Sequence, residues 1–148
     1  MKYEVYTDIE VAVNFEVFDF VSIGKQGAIQ KRVAFTRTEI NDIYNLAFGD
    51  VDNDDQINDQ AISNNGDRNK VLATIANIVE AYTKKYPDRW VIFEGSTFER
   101  TRLYRMAIGL HIDELSEKFE LYGFIDGNLV PFVKNLRVSA FLIKLKKT

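Results

Sequence analysis

Between Asp67 and Pro87 the apolar residues Val71, Leu72, Ile75, Ile78, Val79, Tyr82 and Tyr86 recur at spacings of three and four. That period sets them on one stripe of an α-helix, and Glu80, Lys84 and Lys85 avoid it. The stripe must be buried against another element, and the segments on either side read as strands. Asp67 is an ordinary N-cap residue for such a helix, and Pro87 stands where a helix has ended.

"VNFEVFDFVSI", Val13 to Ile23, is rich in β-branched and aromatic residues, and "AIQKRVAFTR" follows after the turn "GKQG". In the second run Ile29, Val33 and Phe35 share a face with Lys31, while Gln30 and Arg32 point the other way. This is the period of a half-exposed strand, and the two runs form a hairpin. Tyr44, Leu46 and Phe48 alternate in "IYNLAFGD", a third strand. "DVDNDDQINDQ" is a polar loop, and "QAIS" is read as a short strand after it. "RWVIFEG" is a brief apolar run bounded by turn residues, as in a buried central strand.

"STFE" is a capping box, Ser96 with Glu99, that opens a helix from about Thr97 to Ile108. Leu103, Met106, Ala107 and Leu110 are its expected inward face, and "HIDELSEKF" adds another turn or two. Asp126-Gly127 announces a closing hairpin, and "VSAFLIKLKK" is a last strand, expected at a sheet edge. The expected fold is α+β: a mixed, mainly antiparallel sheet with two main helices. A crossover through the first helix would be right-handed if its flanking strands are parallel.

A chain of 148 residues with 46% hydrophobic content fits one globular domain over residues 1–148, burying about 70% of its unfolded surface. With no cysteine, disulfides, thiolate metal sites and cysteine nucleophiles are excluded, and a reducing cytoplasm is the expected setting. There is no 18-residue apolar stretch and no signal peptide, so no membrane contact is expected. The net charge of −3 does not imply nucleic acid. Charge is unevenly spread, however: Glu39 to Asp67 holds eight acidic residues and no Lys or Arg, and Pro131 to the end holds five basic residues and no acidic one. Both are read as solvated surfaces, the basic one also as a docking patch.

Few motifs carry chemistry. Asp50, Asp52 and Asp54 begin like a calcium loop, but Asp55 stands where its turn needs Gly and Ala61 where it needs a bidentate Glu, so no metal site is expected. His111 is the only histidine, which rules out a multi-histidine metal site, and it suits a helix C-terminus. Arg100, Arg102 and Arg105 lie on one helix, where they read as a solvated face or as an anion or partner site. In "SNNGDRNK" Gly66 allows a turn, and Asn65, Arg68, Asn69 and Lys70 supply donors at the start of the long helix. That junction reads either as a structural cap or as an anion site, because helix N-termini attract anions.

"SNNGDRNKVLATIANIVEAY" followed by "IFEGSTFERTRLYRMAI" resembles a family of small bacterial proteins with no assigned function. The element order also resembles the GNAT acyltransferase superfamily, in which an antiparallel strand run leads to a turn and helix that cradle coenzyme A pyrophosphate. Against that family's turn, Gly66 takes the first Gly and Val71-Leu72 the apolar pair. Ser63 stands for its Arg or Gln, and Arg68 for its small residue. Leu103-Tyr104 matches the Leu-Tyr pair of the family's second helix. The resemblance implies a coenzyme A thioester at residues 65–70 and Tyr104 as general acid on the leaving thiolate, with Glu94 as a candidate base. Three roles are expected: a non-catalytic GNAT-like interaction or regulatory module with a protein partner, an N-acyltransferase, or, through Arg100, Arg102, Arg105 and the basic C-terminal strand, a weak nucleic-acid binder.

Overall fold

The computed structural model describes residues 3–58, 64–94 and 98–147. The strands are β1 (Glu10–Val11), β2 (Val17–Gly24), β3 (Gly27–Arg37), β4 (Ile43–Asp50), β5 (Trp90–Phe93), β6 (Phe119–Ile125), β7 (Asn128–Pro131) and β8 (Ala140–Leu145), and the helices are α1 (Arg68–Lys85), α2 (Phe98–Leu110) and α3 (Ile112–Lys118). They form an α+β fold around one eight-stranded sheet of order β1-β2-β3-β4-β5-β8-β6-β7. β4 and β5 are parallel, with α1 between them in sequence. β1–β2, β2–β3, β5–β8, β8–β6 and β6–β7 are antiparallel. The strand expected at "QAIS" and the capping residue Ser96 lie outside the described residues.

The chain divides into two compact units, Met1–Thr36 with Leu46–Tyr82, and Arg37–Asn45 with Thr83–Thr148. In the first, alternate residues of the β2–β3 hairpin, Phe18, Phe20, Val33 and Phe35, are buried together with Val71, Ile75, Ile78 and Tyr82 from the apolar stripe of α1. Tyr82 stacks on Phe35 with ring centroids 3.8 Å apart. Lys31 shares the inward phase of β3 and is 1% exposed. Its ammonium is held by the Asp50 carboxylate at 2.5 Å, as a buried charge requires.

In the second unit Val91, Phe93, Phe141, Ile143 and Phe119 are buried. Tyr104 of α2 meets Phe93 edge-on at 5.5 Å, and Phe132 meets Phe141 at 5.4 Å. Asp126 and Gly127 both have positive φ, the geometry of a tight hairpin turn between β6 and β7.

Two expectations are corrected. The last strand is not an edge: β8 is inserted between β5 and β6, where its apolar residues Phe141, Leu142 and Ile143 are buried. Met106 is not inward but 44% exposed; the buried positions of α2 include Tyr104 and Ile108. These are four apart on one face, and the side chains of Leu103 and Leu110 lie outside the described ones.

Candidate functional site

The head of α1 is where sequence reasoning concentrated its candidates. A polar cleft of about 670 Å³ lies there, lined by Gly66, Arg68, Asn69 and Lys70 together with the carboxylates of Glu4 and Asp67. Gly66 has φ +82, a backbone conformation open to glycine at little cost, and its N–H donates to Asn64 Oδ1 at 3.0 Å.

Asn65 is the exception, and it does not line the cleft. Its side chain is buried, accepting from Gln26 N at 2.6 Å and donating to Ser22 Oγ at 3.1 Å and to Gly27 O at 2.9 Å. Lys25 N donates to its carbonyl at 3.2 Å. A Cβ on Gly24 would stand 1.9 Å from that carbonyl oxygen. Asn65 therefore ties the β2–β3 turn to the start of α1, and its polar atoms are committed to that task.

Asp67 precedes the helix, and its carbonyl accepts from Val71 N at 3.0 Å, beginning the helical ladder. Its carboxylate accepts from Ser22 Oγ at 2.6 Å and from the Tyr6 hydroxyl. Burial, followed by the hydrogen bond to Asp67, pushes the Tyr6 phenol above its ordinary value. The segment carrying Tyr6 is strapped to α1, with Tyr6 N donating to Thr74 Oγ1 at 2.9 Å. A fixed carboxylate thus stands at the positive end of the helix dipole. An incoming phosphate about 5 Å from it would meet roughly 3 kcal/mol of repulsion per unit charge at an effective dielectric near 20. Lys70 offsets part of this, but it already lies 3.8 Å from Glu4 and 4.3 Å above the Tyr6 ring.

The other candidates are dispersed. Tyr104 is 6% exposed and packs on Phe93 in the core of the second unit. Glu94 is exposed at the end of β5, Arg102 is exposed and Arg105 half-buried; the side chain of Arg100 lies outside the described ones. His111 is buried at the α2–α3 junction, where its N–H donates to the carbonyls of Ala107 and Ile108. In the acidic loop Asp52 Oδ1 accepts from the N–H groups of Asp54 and Gln56. Arg32 joins Asp55 to Asp19 with contacts of 2.8 Å, and the hydrogen bond to Asp19 raises its pKa first of all. Among the described residues no cluster of carboxylates and histidine has the makings of a metal site.

Sequence reasoning did not single out the surface on the other side of the second unit's sheet. Trp90 and Ile92 alternate with the buried Val91 and Phe93, so they face away from α2. Register continues that face: Trp90 pairs with Ile43, Ile92 with Leu142, Leu142 with Tyr122, and Phe124 with Leu129. Trp90, Ile92, Tyr122 and Phe124 are half-exposed, and Leu129 is 46% exposed. Trp90 lies 5.8 Å from Tyr122 and under Lys144 at 5.2 Å. The Tyr122 hydroxyl donates to Glu120, which raises its pKa. The signal for this face was the alternation in "RWVIF" and "FELYGF", but the first reads as a buried central strand and the second only as one arm of a hairpin.

Among the described residues no helix is long and apolar enough to cross a membrane. No curated protein matches the chain, and no solved structure does. The sequence model of one family, described as a family of unknown function (DUF6934), matches residues 2–146. That match covers nearly the whole chain, and the chain belongs to this family.

Proposed function

We propose that this chain is a non-catalytic interaction module, GNAT-like in element order, that binds a protein partner on the sheet face of Trp90, Ile92, Tyr122, Phe124 and Leu129. The observation that carries the reading is the set of half-exposed or exposed rings and aliphatic side chains on β5, β6 and β7, with Leu142 of β8 buried between Ile92 and Tyr122. Contiguous apolar area with large rings is what protein interfaces bury. The sheet edges favour docking on the face rather than strand addition. β1 is two residues long, and β7 ends in Pro131, which has no N–H to offer.

The GNAT-like part rests on the order strand run, turn, α1, β5, α2 and closing strands. The non-catalytic part rests on Tyr104 in the core and on the carboxylate of Asp67 at the head of α1. The polar cleft there is the observation that favours an acyltransferase or a coenzyme A-binding relative instead.

The test is a selection of random displayed peptides on the intact chain, read against Trp90→Ala and Leu129→Asp, with acetyl-coenzyme A titrated in parallel. Leu129 is already exposed, so its variant tests the face without a core change. Selected peptides should lose binding to both variants, and acetyl-coenzyme A should not raise the melting temperature. Peptides indifferent to both variants, or clear stabilisation by acetyl-coenzyme A with shifts at Gly66–Lys70, would overturn the proposal.

A further inference from the structure

Glu120, Tyr122 and Pro131 border a groove of about 400 Å³ whose other walls include Ile112, Phe119, Leu121, Phe132 and Val133. Phe119 and Leu121 stand on the opposite side of β6 from Tyr122, so the groove opens at the strand's edge beyond the end of β7. Val133 is 58% exposed. Lys134 and Lys146 also line this groove, and both are exposed. Lys146 donates to the Ser116 carbonyl, which carries no net charge.

These cations belong to a larger imbalance. Residues 131–148 carry five basic and no acidic side chains, so with 19 basic and 22 acidic in all, residues 1–130 carry 14 − 22 = −8. Three cations of the first unit do meet carboxylates: Lys31 meets Asp50, Arg32 meets Asp19 and Asp55, and Lys70 lies 3.8 Å from Glu4. Among the described residues Lys134, Arg137, Lys144, Lys146 and Lys147 form no ion pair. Of the acids beside the groove, Glu120 accepts from the Tyr122 hydroxyl at 3.0 Å.

Resting on the interaction reading above, we infer that the partner is an acidic protein segment. It places an aliphatic or aromatic anchor in the groove between α3 and the 131–134 segment, and its carboxylates against Lys134 and Lys146. Of the apolar walls, the exposed Val133 and the half-buried Ile112 and Leu121 supply affinity through burial, while the lysines supply orientation and association rate. A purely apolar occupant would leave both ammonium groups unmatched, and a basic one would be repelled. A nucleic-acid backbone would match the same lysines but would bring no apolar anchor for the groove.

The test selects displayed random dodecapeptides on the full chain and on Lys134→Glu/Lys146→Glu, two exposed positions whose change is checked by an unaltered unfolding midpoint. The wild-type pool should be enriched in Asp and Glu around an apolar anchor. Its members should bind the charge-reversed variant at least tenfold more weakly, and binding should weaken as salt rises. A pool without acidic enrichment, or one that binds the variant equally well, overturns the inference. Peptides that lose binding to Leu129→Asp but keep it to the charge-reversed variant remove the acidic partner and leave the interaction face standing. A selection that enriches nothing removes both. Tight binding of oligothymidylate through the same two lysines overturns the inference in favour of a nucleic acid.

Discussion

Replacing Asn65 with Ala tests whether the turn before α1 is a structural clamp or a ligand cradle. The substitution deletes the acceptor for Gln26 N and the donors to Ser22 Oγ, Ser22 O and Gly27 O. Gln26 and Gly27 are exposed, so water replaces those two partners at about 0.5–1 kcal/mol each. Ser22 is fully buried, and leaving its oxygens short of a donor costs about 1–3 kcal/mol. The sum is about 3 kcal/mol, or a fall in melting temperature of about 6–12 °C for a chain this size. Asn64→Ala is the control: Asn64 is exposed and accepts from Gly66 N, so its loss should cost under about 1 kcal/mol. Urea unfolding at equal m-values measures both. A cost below about 1 kcal/mol for Asn65→Ala would refute the clamp and return Asn65 to the pool of ligand donors.

Other changes probe other parts of the account. Lys31→Met should destabilise by about 3–5 kcal/mol because it strips Asp50 of its buried cation, and Lys31→Met/Asp50→Leu should recover most of that; a small single-variant cost in urea would contradict the pairing. The raised Tyr6 value means that its contribution is complete below about pH 10 and is lost as pH climbs through the folded value. Above pH 10 the wild type should therefore lose stability more steeply than Tyr6→Phe, and parallel pH curves would contradict the Tyr6–Asp67 bond. Gly66→Ala should cost about 1–2 kcal/mol, from its positive φ and from the Lys25 side chain 3.0 Å from the added Cβ; an unchanged unfolding midpoint would mean the turn relaxes freely.

Much of the fold was legible because its signals are periodic. The stripe from Val71 to Tyr86 marked α1, and β4 falls on "IYNLAFGD" as the alternation predicts. The phase of β3 even placed Lys31 inside. What local pattern could not carry was strand order. Nothing in "VSAFLIKLKK" says that it enters between β5 and β6, because pairing depends on residues far away in sequence. Met106 was misplaced for a related reason. Tyr104 rather than Met106 is buried because Phe93 offers its ring a partner.

The candidate site divides the same way. Gly66, Arg68, Asn69 and Lys70 were found together because they are contiguous. The partners that decide their role, Tyr6 and Ser22, come from 61 and 45 residues away. The interaction face was hidden by its own composition, since Trp90, Tyr122 and Phe124 look like core residues until register shows which side they occupy.

The most direct test of the interaction reading is a two-dimensional amide NMR map of the intact chain titrated with the tightest selected peptide. The shifts should gather on Trp90, Ile92, Tyr122, Phe124 and Leu129. Shifts confined to Gly66–Lys70 would contradict it and make the head of α1 the working site.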